Sequence, residues 1–161
     1  MSKRLTPQGD FAPAPFGRRM AAVLYDFLLC IALLMVTTLV YKLIMMAFIG
    51  EARLRALSES GSLDGDPFLS TLLFCALFAF FAKFWMHAGQ TLGMQVWGVR
   101  VQNPDGTALT IWQALLRFIV AIGSWLCFGA GFWWALIDKQ KRGWHDIYSG
   151  TQLVHIPKRK A

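Results

Sequence analysis

The feature that most constrains this chain is a series of long apolar stretches separated by short polar ones. From Met20 to Tyr41 the only charged residue is Asp26, and as a helix this stretch is about 33 Å long, enough to cross a bilayer core of about 30 Å. Hydrophobic residues make up 56% of the chain and charged residues 16%, against about 25% charged in an ordinary soluble domain. These proportions exclude a disordered or collagen-like chain and predict a membrane protein.

Two further apolar segments follow the first. Phe68 to Met86 is interrupted only by Lys83, near its end, and predicts a second span. Ile111 to Ile137 carries a single charge, Arg117, and several glycines. This third segment is either a re-entrant pair of short helices or one kinked span, because glycines supply turns and also allow close helix packing.

The stretch from Met94 to Thr110 has a different pattern. Val99 and Val101 alternate with polar residues, and the run from Asn103 to Gly106 is a strong turn signal. It predicts a small surface β-hairpin between the second and third apolar segments. The fold class predicted for the chain is therefore an all-α membrane protein with two transmembrane helices, a third glycine-interrupted apolar segment and a small β-hairpin.

The two ends of the chain differ in composition from its middle. Residues 1–17 are rich in proline and glycine and include Lys3 and Arg4, which predicts a flexible basic leader. Residues 157–161 form a basic tail, and residues 18–156 between them are predicted to be the membrane domain.

The distribution of positive residues predicts the orientation, because lysine and arginine favour the cytoplasmic side. If the third segment enters and returns, both termini are cytoplasmic, and of the positive residues outside the spans only Arg53 and Arg55 lie on the other side. A single crossing would separate the basic leader from the basic C-terminal end. Charge favours the return, yet two full crossings need about 40 residues, which the segment lacks, so both paths remain open.

Charges inside apolar segments need partners, since each costs about 2.5 to 3.5 kcal/mol on insertion scales. Asp26, Lys83 and Arg117 lie at similar depths below the cytoplasmic edge, which predicts one layer in which Arg117 or Lys83 neutralises Asp26. Arg19 and Asp146 are expected at the cytoplasmic surface, where they should approach each other. This polar cluster either locks the helix packing or lines a solute or proton path.

Five short motifs occur in order along the chain, and each is weak alone. They are Gly17–Asp26, Gly89–Met94, Val99–Gly106, Gln113–Arg117 and His145–Thr151. Together they resemble the RDD family of membrane proteins, named for one arginine and two aspartates. The resemblance assigns the arginine to Arg19 and the aspartates to Asp26 and Asp146. It implies a multi-pass protein of the bacterial inner membrane, for which transport of some ligand is suggested.

Two classes of function remain open. One is a transport-related unit for a small ion or solute, oligomeric because so few helices do not easily enclose a path; the other is a non-transporting interaction or scaffold protein with a structural charge cluster. We expect no enzyme, since His145 and Asp146 lack a second catalytic cluster or a nucleophile, and no cofactor or metal. The net charge of +7 predicts the anionic cytoplasmic leaflet as a partner, with no nucleic acid.

Overall fold

Helices dominate the fold, and their order follows the apolar segments of the sequence. The computed structural model describes residues 3–63 and 65–157. The predicted basic tail from Lys158 to Lys160 lies outside the described residues. The elements are α1 (Phe16–Ile49), α2 (Glu51–Glu59), α3 (Pro67–His87), α4 (Leu92–Trp97), β1 (Val99–Gln102), α5 (Ile111–Leu126), α6 (Ala130–Ile137), α7 (Trp144–Ser149) and β2 (Gln152–His155).

Helices α1 and α3 are long and apolar enough to cross a membrane. Large hydrophobic side chains on both face outward, for example Met35 at 67% exposure and Phe68 at 67%. A soluble protein rarely exposes apolar patches of this extent, whereas lipid solvates them. The two predicted spans are confirmed, and α1 continues past the predicted stretch, through Lys42 to Ile49.

The third apolar segment is a pair of helices, α5 and α6, bent by 99° at a short break. The break contains Phe128 and Gly129, both in the left-handed region, with φ of 54° and 76°. Glycine adopts this conformation without strain, and the Gly129 N–H closes the turn on the Ser124 carbonyl at 2.7 Å. The glycine-interrupted segment of the prediction is therefore a sharply bent helical pair.

One face of α5 turns inward. Its buried residues are Ala114, Arg117, Phe118 and Ser124, spaced as one stripe of a helix. The helix begins at a capping box in which Thr110 accepts from the Gln113 N–H and the Gln113 side chain accepts from the Thr110 N–H. This start fixes where along the chain the buried stripe begins.

The predicted small antiparallel sheet is present, but its second strand is not the one the turn signal indicated. β1 begins at Val99 as expected and pairs with β2, with Val99 opposite His155 and Gln102 opposite Gln152. The β1–β2 pairing replaces the predicted hairpin. A strand partner this far away in sequence leaves no local signal, since strand pairing is decided by side-chain packing across the sheet.

The leader lies against this sheet. Leu5 is 3% exposed and its N–H bonds to the Gly106 carbonyl at 3.2 Å, while the Ala14 N–H bonds to the Leu153 carbonyl at 3.0 Å. Composition predicted a flexible segment here, because proline and glycine cannot sustain a helix. They nevertheless allow an extended strand-edge path, which other parts of the chain hold in place.

The polar segment between the two spans contains the short helix α2. Alanine, leucine, glutamate and arginine are strong helix formers, and Glu51 pairs with Arg55 one turn later at 3.0 Å. Near the start of α3, the Tyr41 hydroxyl donates to Asp66 at 2.5 Å.

The described chain divides into two compact units. Residues 28–79 contain the Glu51–Arg55 and Tyr41–Asp66 contacts, and residues 1–27 with 80–161 contain the sheet and the bent pair.

Candidate functional site: two buried carboxylates

Asp146, in α7, is completely buried at the centre of a cluster of donors. Arg19 approaches it with 3.3 Å between Nη1 and Oδ2, and Arg117 donates to Oδ1. The backbone N–H of Gly143 donates to Oδ2 at 3.0 Å. The predicted approach of Arg19 and Asp146 is confirmed, and two arginines neutralise one carboxylate.

Both arginines are themselves held by further contacts. Arg19 donates from Nε to the Ala14 carbonyl at 2.9 Å and from Nη2 to the Leu153 carbonyl at 3.3 Å, which ties the start of α1 to the leader and to β2. Arg117 donates to the Thr151 hydroxyl at 3.0 Å and lies over the Trp85 ring at 5.3 Å. The cluster thus joins α1, α3, α5, α7 and β2.

His145 lies beside the carboxylate without a close hydrogen bond to it. Its Nε2 is 3.6 Å from Asp146 Oδ1, and its ring packs on Phe132 with centroids 4.8 Å apart. Burial lowers the pKa of His145 from 6.5 to about 4; Asp146 opposes that shift, while Arg117 and Arg19 add to it. The imidazole is therefore neutral at pH 7.

The carboxylate stays ionised in spite of its burial. Burial by itself raises the pKa of Asp146, but the charge of Arg117, that of His145 once it is protonated at acidic pH, and that of Arg19 outweigh it and hold the pKa at about 2. The attraction of two cations offsets the free energy that is lost when the carboxylate is removed from water.

Asp26, in the first span, has neutral partners only. It is 6% exposed; its Oδ2 accepts from the Thr91 hydroxyl at 2.5 Å, and its Oδ1 accepts from the Gly93 N–H at 3.0 Å. Arg117 and Lys83 do not pair with it. Lys83 is exposed on α3, and no ion pair joins it to any residue of the described chain. The predicted single layer with Asp26 neutralised by Arg117 or Lys83 is therefore wrong: Arg117 is taken by Asp146.

The sequence from Gly89 to Gly93 shapes the Asp26 site. Thr91 caps α4, accepting from the Met94 N–H at 3.3 Å, so its hydroxyl hydrogen is directed to Asp26. A Cβ at Gly93 would lie 2.5 Å from the Ala22 carbonyl oxygen and 2.8 Å from Asp26 Oδ1. Only glycine lets α4 approach α1 this closely. The stretch from Gly89 to Gly93 thus forms a helix cap and allows a close backbone approach.

Sequence reasoning missed several members of both sites. Thr91 and Gly93 were part of a recognised motif, but nothing local linked them to Asp26, which lies 65 and 67 positions earlier. His145 was considered only as a catalytic group. Among the described residues there is no group of three or more His, Cys, Asp or Glu placed to hold a metal ion.

Comparison with known proteins identifies a relative and a family. The chain is 27% identical over 151 residues to the uncharacterized protein YckC of Bacillus subtilis (strain 168), a match that covers 90% of this chain and 86% of the relative. No solved structure matches it. Residues 13–150, which include Arg19, Asp26 and Asp146, match the RDD family along most of the chain. With its two apolar spans, this chain is a membrane protein that belongs to the RDD family.

Proposed function

We propose that the protein is a transport unit of the bacterial inner membrane for a small ion or solute. The observation that carries this proposal is Asp26, a buried carboxylate within the first span, for which the described residues supply a hydroxyl and a backbone N–H but no cation. Ionisable groups inside membrane spans are costly and typically mark ion or solute paths. Asp26 is the group in this chain best suited to exchange a proton or a cation.

The bent α5–α6 pair supports the same function. Discontinuous helices in transporters present free backbone groups to ions and substrates. Among the described residues, three buried polar atoms near this pair have no hydrogen-bond partner: Arg117 Nε, Ser124 Oγ and His145 Nδ1. Native proteins leave few such atoms unsatisfied, so these are positions at which water or a solute is expected.

The contact between Arg19 and Asp146 supports a re-entrant path for the bent pair. These residues are 127 positions apart. If the third apolar segment crossed the bilayer once, they would lie on opposite faces. With a return, both termini are cytoplasmic and the segment from Gly50 to Pro67 is periplasmic. Thiol labelling of single cysteines, introduced near Lys158 and near Glu59 in a cysteine-free background, tests this orientation; periplasmic labelling near Lys158 contradicts it.

The same proposal includes a homo-oligomer and an anionic cytoplasmic leaflet as partners. The described chain has only two full-length candidate spans, which are too few to enclose a path alone. The net charge of +7 favours anionic lipid on the side that carries the termini. Mass measurement of the protein in lipid nanodiscs tests the oligomer.

Flux into proteoliposomes is the test of transport. We expect cation-coupled or proton-coupled uptake by the wild type and its loss in Asp26→Asn, because asparagine matches the shape of aspartate but carries no charge. Glu51→Gln is the matched control, since Glu51 is an exposed acid on α2. Equal flux in wild type, Asp26→Asn and empty liposomes would reject the proposal.

The Asp146 cluster favours a second candidate, a non-transporting membrane scaffold. Its carboxylate is balanced by two arginines and a backbone N–H, as expected for a group that only fixes helix packing. This candidate predicts no flux in any variant and unchanged partner binding in Asp26→Asn. Neither candidate involves catalysis.

A further inference from the structure

A polar cavity of about 650 Å³ lies beside the small sheet, outside the apolar helices. The leader, β1, the turn after it and the start of β2 contribute its walls. Its lining includes Arg4, Asp10, Arg100, Asp105 and Gln152. Small-molecule sites are typically about 300 to 1,000 Å³ and contain a few polar groups that converge on the ligand.

Arg100 is a buried cation without an anion. It is 1% exposed, and no carboxylate oxygen of the described residues lies within 4 Å of its guanidinium. Instead, Nε and Nη2 donate to Gln102 Oε1 at 2.9 and 2.6 Å, and Nη1 donates to the Pro7 carbonyl at 2.9 Å. The Phe11 ring lies 5.1 Å from the guanidinium carbon. Every partner is neutral.

These hydrogen bonds leave part of the guanidinium unused. Arginine has five N–H donors, and three of them are directed to Gln102 and Pro7. One hydrogen remains on each terminal nitrogen. Buried charges in proteins are normally paired, so an unpaired arginine in the wall of a polar cavity is unusual for a purely structural residue. An anion in the cavity would supply the missing charge and accept the remaining donors.

The two carboxylates of the cavity do not fill this role. Asp105 accepts from the Thr107 N–H and hydroxyl at 3.0 and 2.6 Å. These hydrogen bonds lower the pKa of Asp105, and the charge of Arg4 lowers it slightly further. Asp10 is exposed to solvent, which screens its charge. Arg100 is therefore the buried charge in the cavity wall that has no counter-ion among the described residues.

We propose that this cavity binds a small anionic solute through a phosphate or carboxylate group held by Arg100, with Arg4 at the rim. A guanidinium fork matches the oxygens of both groups, and the side-chain amide of Gln152 offers neutral hydrogen bonds to the rest of the solute. Because the site is formed by the leader and the sheet, it stands whether or not the protein transports anything.

The test is calorimetric titration of the full chain in phosphatidylcholine nanodiscs with inorganic phosphate and, separately, succinate. We expect the wild type to bind at least one probe and Arg100→Lys to bind it about tenfold more weakly, equivalent to about 1.4 kcal/mol, because lysine keeps the charge but loses the fork. Arg4→Gln removes an exposed rim charge without disturbing the core and should weaken binding about threefold, as expected for a screened contact.

Three further arms decide the outcome. Arg53→Gln, which removes an exposed charge in the other unit, should bind like the wild type. Sodium chloride at matched ionic strength should give no binding heat. Nanodiscs with phosphatidylglycerol separate a soluble solute from a lipid headgroup, since a headgroup in the cavity would compete with phosphate. Equal affinities for wild type, Arg100→Lys and Arg4→Gln overturn the proposal. So does the absence of binding of either probe at a concentration of about 10 mM, tenfold above a Kd of about 1 mM.

Discussion

Asp26 and Asp146 are both buried aspartates of the same compact unit, yet their surroundings differ in one respect. Asp146 has two arginines, whereas Asp26 has a threonine hydroxyl and a glycine N–H. A carboxylate paired with cations must remain charged for the fold to hold. A carboxylate with neutral donors can gain a proton or bind a cation without leaving a buried charge unpaired. Asp146 therefore joins elements of the fold, whereas Asp26 is the carboxylate on which the proposed exchange depends.

The largest effect is expected from Asp146→Ala. The substitution leaves Arg19 and Arg117 buried without their anion, and breaking such a pair costs about 3 to 5 kcal/mol. We therefore expect a severe loss of folded protein, measured by monodisperse yield and thermal unfolding. Asp138→Asn is the control, because its pair with Arg142 is partly exposed and screened by solvent, so its loss should have little effect. A variant as stable as the wild type would show that Asp146 does not hold the elements together.

Acidification should destabilise the Asp146 cluster through His145. The pKa of His145 is lower in the folded state, about 4, than its ordinary 6.5, so the unfolded chain binds more protons between these values. Stability is complete above about pH 6.5 and falls by about 3 kcal/mol as the pH approaches 4. Unfolding midpoints between pH 7 and 4 measure this loss, and His145→Gln should reduce it. Asp146, with a pKa of about 2, remains ionised over that range. Parallel pH profiles for wild type and variant would contradict the assignment.

Gly93→Ala should disturb the Asp26 site by steric overlap. The added Cβ meets backbone oxygen of Ala22 at 2.5 Å, so α4 must move away from α1, at a cost of about 1 to 3 kcal/mol. Gly123→Ala is the matched control in α5, where nothing lies within 4 Å of the new Cβ, and alanine there should be neutral or slightly stabilising. Thermal unfolding compares the two variants; equal stability of both would mean that α4 does not pack closely on α1.

The smallest effect on stability is expected from Asp26→Asn, about 1 kcal/mol, since the amide oxygen keeps the bond from the Gly93 N–H and the amide NH2 can donate to the Thr91 hydroxyl instead of accepting from it. This prediction separates the two carboxylates directly. A loss as large as that of Asp146→Ala would mean that Asp26 is charged and paired with a cation, as its sequence context first indicated. Thermal unfolding of both variants in the same lipid provides the measurement.

The sequence predicted the spans well because membrane crossing depends on length and hydropathy, which are local properties. The predicted interruption of the third segment is also observed, since Gly129 adopts the left-handed conformation of the bend without strain. Partners were harder to predict. The depth of Asp26 and Arg117 suggested a pair, but equal depth does not specify which faces of two helices meet.

By itself, the sequence determined a membrane protein with two spans, an interrupted third segment and five short motifs in the order that resembles the RDD family. Only the tertiary structure decided that Arg117 belongs to Asp146, that Asp26 belongs to Thr91 and Gly93, and that β1 pairs with β2. The physical reason is that apolar length acts segment by segment through the solvent, whereas hydrogen bonds and ion pairs act over a few ångströms. Such contacts are settled only when distant segments have packed together.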